Sequence, residues 1–90
     1  MKIIDDVVIQ KVGTLYVAVA VGARAKELPC MIKLNETGAF LWNLAVEAKT
    51  LDAAALAAAL SKEYEVSAEI ALADTQKFIK SLVDNGLVEE

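Results

Sequence analysis

The hydrophobic period of this chain changes once, near residue 35, and that change constrains the fold more than any single motif. Before it, Leu15, Val17, Val19 and Val21 alternate with Tyr16, Ala18 and Ala20, the period of two that marks a strand with unequal faces. The earlier run Val7–Val12 is rich in β-branched residues and stops at Gly13, so a hairpin joins the two. The charged stretch Gly22–Leu28 reads as a loop. After Pro29, Cys30–Leu34 forms a third short strand, with Cys30, Ile32 and Leu34 on one face and Met31 and Lys33 on the other.

Beyond the change, apolar residues fall at helical spacing. Asn35 is a helix N-cap, with Glu36 in the first turn where the helix dipole favours an acid, and Phe40, Leu41, Leu44 and Ala45 follow. Thr50 is expected to cap a second helix running to Tyr64, with Leu56, Leu60 and Tyr64 in one row. Ser67 caps a third, which Asn85-Gly86 ends because glycine accepts the left-handed conformation. Leu87-Val88 then folds back on the core. Three strands followed by three helices, without repeats or linkers, predict an α+β, winged-helix-like fold: a three-stranded antiparallel sheet, then three helices, in one domain over residues 1–90.

Composition excludes most chemistry. The chain of 90 residues has one cysteine, Cys30, and no histidine, which removes an intrachain disulfide, a Cys/His metal site and a histidine acid or base. No enzyme activity and no cofactor are expected. A net charge of −4 opposes nucleic-acid binding, which relies on clustered Lys and Arg. Although 57% of residues are hydrophobic, no run reaches the roughly 20 needed to cross a bilayer, and Met1-Lys2-Ile3-Ile4-Asp5-Asp6 turns acidic too soon for a signal peptide. A soluble, cytoplasmic protein without membrane association is expected. Asp5-Asp6 and Glu89-Glu90 read as solubilising, mobile ends.

The segment Ile32-Lys33-Leu34-Asn35-Glu36-Thr37-Gly38-Ala39-Phe40-Leu41-Trp42 resembles the leucine-asparagine-glutamate segment, ending in tryptophan, of the PqqD family, named for pyrroloquinoline quinone synthesis protein D. Thr50–Leu60 resembles that family's second helix, Glu63-Tyr64-Glu65-Val66 its tyrosine-valine link, and Asp74-Thr75-Gln76-Lys77-Phe78-Ile79 with Leu82 and Gly86-Leu87-Val88 its third helix and glycine-leucine ending. The pieces stand in the right order and spacing over nearly the whole chain. Two positions depart from the pattern: Gly38, where alanine is commoner and helix propensity drops by about 1 kcal/mol, and Thr75, where valine or isoleucine usually follows the aspartate.

The resemblance implies a recognition element for ribosomally made, post-translationally modified peptides. The leader of the precursor peptide would add as a strand beside the third strand, pack against the third helix, and be handed to a modifying enzyme such as a radical S-adenosylmethionine protein. Quinone cofactor synthesis is one such pathway. A strand edge at Cys30–Leu34 suits this role, because its free backbone groups pair with an extended peptide while side-chain pockets select it. On the third helix, Leu72, Thr75, Phe78, Ile79, Leu82 and Val83 cover an apolar arc, with Asp74, Lys77, Lys80, Ser81 and Asp84 opposite. The candidate peptide-binding residues are therefore Met31, Ile32, Lys33 and Leu34 on the strand, Phe78 at the boundary, and Asp74, Lys77 and Ser81 at a polar rim. Lys33 and Lys77 would suit an acidic leader. An unpaired edge also permits a homodimer, and a winged-helix DNA-binding regulator is the alternative function. That alternative needs a basic helix, whereas Lys77 and Lys80 stand against Glu69, Asp74 and Asp84.

Overall fold

A computed structural model describes residues 1–22 and 32–89. The elements run β1 (Lys2–Ile3), β2 (Val7–Val12), β3 (Leu15–Ala20), β4 (Ile32–Leu34), α1 (Glu36–Ala48), α2 (Ala53–Tyr64), α3 (Ala68–Asp84) and β5 (Val88–Glu89). Strands β2, β3 and β4 form an antiparallel sheet in chain order, and α1 packs on one of its faces with α2 and α3 behind it in a shared core. This is the α+β, winged-helix-like architecture expected. Cys30 and Met31, and all of the expected loop but Gly22, lie outside the described residues.

The register explains which strand residues are spent on the core. Ala18 pairs with Ile9 on one side and Ile32 on the other, and Tyr16 pairs with Leu34. Ala18, Ile32 and Leu34 are buried, so this row faces the helices, where Leu41, Trp42, Ala45, Leu56, Leu60 and Leu82 meet it. Lys33, between Ile32 and Leu34, points the other way and is exposed. Trp42, at 2% exposure, is core. Phe40 lies edge-on to Tyr64, ring centroids 5.5 Å apart, and ties α1 to the end of α2.

The helix starts follow local hydrogen-bond chemistry, with one correction. Asn35 caps α1, its Oδ1 accepting from the Gly38 N–H at 2.8 Å and the Thr37 hydroxyl at 2.9 Å. Ser67 Oγ accepts from the Ile70 N–H at 3.2 Å and opens α3. The cap of α2 is Asp52 rather than Thr50: its Oδ1 accepts from the N–H groups of Ala54 and Ala55 at 3.1 and 3.3 Å. Thr50 instead closes α1, donating its N–H to the Ala45 carbonyl, and Leu51 turns inward to 9% exposure.

The chain ends also differ from expectation. Lys2–Ile3 pairs with Val88–Glu89, and the Ile4 N–H reaches the Leu87 carbonyl at 3.0 Å. Ile3, Ile4 and Leu87 are buried, and Lys2 meets Glu89 at 3.6 Å. These ends are clasped, because the apolar residues beside the acids have a core to join. Asp6 adopts φ 63° at a turn, its carbonyl accepting from the Val21 N–H at 2.8 Å. The fold-back of Leu87 is as expected.

On α3 the buried row is Ala71, Thr75, Phe78 and Leu82. The apolar arc is narrower than the sequence suggests, since Leu72 and Val83 are exposed. A helix that meets the core mainly through α2, with a smaller contact to α1, needs only a stripe, so the flanking apolar residues stay in solvent.

Candidate functional site

Strand β4 is an edge of its sheet: β3 lies on one side, and no strand lies on the other among the described residues. Between this edge, the first turn of α1 and the open flank of α3 runs a groove of about 270 Å³. Lys33 and Leu34 line it from the strand, Asn35, Thr37, Gly38 and Leu41 from the start of α1, and Asp74, Lys77, Phe78 and Ser81 from α3.

Each wall is positioned by local chemistry. Residues 74, 77, 78 and 81 follow the i, i+3, i+4, i+7 spacing that puts side chains on one helix flank. Phe78 is only 6% exposed and belongs to the core cluster while also lining the groove, so it serves both. Leu34 stays in the core row and carries the groove to the sheet. Gly38 sets the closeness of the α1 wall. A Cβ there would stand 3.2 Å from Asn35 Oδ1 and 3.3 Å from Leu34 Cβ, tighter than ordinary side-chain contact. The helix-propensity cost of glycine therefore comes with a close approach of α1 to β4, which an alanine would press apart.

The structure brings together Lys33, Leu34, Asp74, Lys77, Phe78 and Ser81 of the expected residues. Ile32 belongs to the same strand but is buried toward the core and does not line the groove. Met31 lies outside the described residues. The wall formed by Asn35, Thr37, Gly38 and Leu41 was missed by sequence reasoning, which treated these residues as a cap and a helix face; the unexpected glycine at position 38 was the available signal. The groove pairs an apolar floor at Leu34, Leu41 and Phe78 with a rim of two lysines and one aspartate. That combination suits an extended chain with an apolar side chain inward. A second hollow of about 410 Å³ lies between β1 and the end of α1, lined by Lys2, Ile3 and Lys49 among others, and none of the expected site residues borders it.

Comparison with known proteins bears on this geometry. The sequence model of the family described as coenzyme PQQ synthesis protein D (PqqD) matches residues 25–88. That span exceeds two thirds of the chain, and the protein belongs to the PqqD family. Among solved structures, the fold matches TbiB1 in complex with the TbiA(beta) leader peptide, with a TM-score of 0.74 and 25% sequence identity, over 99% of this chain and 95% of that one. No curated protein matches the chain.

Proposed function

We propose that this protein is a recognition element for a precursor peptide: it binds the leader in extended form at the β4 edge and presents it to a modifying enzyme. The observation that carries the reading is the coincidence of an open strand edge with an adjoining groove, in a PqqD-family chain whose fold matches a leader-bound protein nearly end to end. Main-chain hydrogen bonds to β4 would supply affinity, and alternate side chains of the peptide would enter the groove against Phe78 and Leu41. Ile32 and Leu34 hold the strand on the core, Lys33 flanks the incoming peptide, and Asp74, Lys77 and Ser81 form the rim. Lys33 and Lys77 favour an acidic leader.

In this reading residues 1–90 act as one cytoplasmic peptide-binding domain that makes no bond itself, and a partner such as a radical S-adenosylmethionine enzyme performs the chemistry. The absence of histidine and the single cysteine support the division of labour. No helix among the described residues is long and apolar enough to cross a membrane. The DNA-binding alternative has no comparable support: on α3, Lys80 is held by Asp84 at 3.2 Å, and acids accompany the basic residues along the helix.

Amide shift mapping with the short peptide encoded beside the gene tests the proposal. Shifts are expected at Ile32–Leu34 and along Asp74–Ser81. Shifts confined to other surfaces, or none at saturating peptide, would overturn it.

A further inference from the structure

The wall that α3 gives to the groove is one set at i, i+3, i+4, i+7, residues 74, 77, 78 and 81. The same spacing taken one turn earlier gives Ile70, Ala73, Asp74 and Lys77. Ile70 therefore stands just outside the groove, beyond Asp74 and Lys77 and on the same flank of the helix. It is the most exposed large apolar residue of α3, at 54%, and Ala73 beside it is exposed as well. Leu72 and Val83, the other exposed large apolar residues of this helix, lie on its far side, roughly 140–160° round the axis from Ile70. The first turn is fixed by its cap, since Ser67 Oγ accepts from the Ile70 N–H at 3.2 Å. A lone isoleucine in water is ordinary. One that continues the wall of a groove by a single turn is placed to be covered by whatever fills that groove.

We infer that Ile70 is a second apolar contact for the leader, beyond Phe78, and that it selects leaders with two large apolar side chains four residues apart. The inference rests on the peptide reading and gives that reading a sequence preference. Helix geometry sets the spacing. Phe78 and Ile70 are eight positions apart, about 12 Å along a helix that rises 1.5 Å per residue. An extended chain laid along α3 covers that distance in four residues of about 3.3 Å each, and an even number returns the side chain to the same face. The first apolar side chain enters the floor at Leu34, Leu41 and Phe78, and the second lies over Ile70 and Ala73. The peptide residue midway between them shares their face and falls opposite Asp74 and Lys77, so it is polar. The preferred pattern is apolar, any, polar, any, apolar.

Titration calorimetry of the full chain tests this with the short peptide encoded beside the gene and with single alanine replacements along that peptide. Ile70→Ala should weaken binding about ten-fold, the loss expected when a large apolar side chain no longer finds cover. The urea midpoint should stay in place, because Ile70 is exposed in the free protein. Leu72→Ala, on the far side of α3, should bind as wild type does. Two apolar peptide positions four apart should matter most. Replacing one of them should cost nothing further in Ile70→Ala, a coupling that a merely structural role for Ile70 would not produce. Undiminished binding by Ile70→Ala, with the wild-type peptide still shifting Ile32–Leu34 and Asp74–Ser81, overturns the inference and leaves the peptide reading standing. Losses that add at every peptide position overturn it as well. No binding by the wild-type protein removes the peptide reading itself, and this inference with it.

Discussion

The two sides of α3 are built to opposite ends. One side, Ala71, Thr75, Phe78 and Leu82, is buried, with Leu82, Thr75 and Ala71 at 0% exposure. The other, Asp74, Lys77 and Ser81, faces the groove, and its two charged members are exposed. The helix was long enough to need only a stripe for the core, and the remainder became available to a ligand. In the proposed reading, stability and recognition therefore occupy different sides of one element and meet only at Phe78.

The largest expected effect tests the buried side. Leu82→Ala should cost about 2–5 kcal/mol in urea unfolding, through lost burial and an unfilled cavity. Substitutions at Asp74 or Lys77 should stay within about 0.5 kcal/mol. Equal effects on both sides would break the comparison.

The groove side is tested by binding. If the leader is acidic, as proposed, reversing Lys33 and Lys77 together to glutamate should weaken its binding about ten-fold, since each exposed ion pair is worth roughly 0.2–1 kcal/mol and reversal turns attraction into repulsion. The urea midpoint should scarcely move. Unchanged titration calorimetry would remove these lysines from the rim.

Thr75 sharpens the buried side further. Its Oγ1 is buried with no hydrogen-bond partner among the described residues, and such a group costs roughly 1–3 kcal/mol. Thr75→Val keeps the shape and removes the unmet hydroxyl, so the urea midpoint should rise by about 1 kcal/mol of stability. A loss of stability would mean that the hydroxyl is satisfied in solution.

The smallest effect lies away from α3, at Tyr64. Burial, followed by the Glu36 and Glu63 carboxylates and Tyr16, raises its phenol above the ordinary 10.0. The folded state holds this proton more tightly than the unfolded chain does. The resulting stability is present below pH 10.0 and is lost as pH climbs through the raised value. Tyr64→Phe should therefore differ from wild type in the slope of stability against pH only in alkaline solution, as thermal melts across that range would show.

Much of the architecture was legible beforehand because it is written in local terms. The alternation from Leu15, the cap at Asn35, the cap at Ser67 and the stop at Asn85-Gly86 all depend on residues within a few positions of one another. The misplaced start of α2 shows the limit of that reading. Thr50 and Asp52 are both good caps, and the choice fell to Asp52 because Leu51 was needed in the core and the Thr50 N–H closes α1. Pairing of Lys2–Ile3 with Val88–Glu89 was illegible for a similar reason, since two-residue strands carry no period and join residues from opposite ends of the chain. For the groove, the strand and α3 contributions followed from facial spacing, while the wall from Asn35 to Leu41 depended on how closely α1 approaches β4.

By itself, the sequence determined the kinds of elements, their order and most of their caps, because period and capping are short-range. It also determined which chemistry is missing, since a chain without histidine cannot use one. Only the tertiary structure decided that Lys2–Ile3 pairs with Val88–Glu89, that Leu51 turns inward so that Asp52 caps α2, and that α1 comes close enough to β4 for Asn35, Thr37, Gly38 and Leu41 to wall the groove. Those outcomes depend on how a few layers pack, and packing brings together residues whose distance along the chain says nothing of their distance in space.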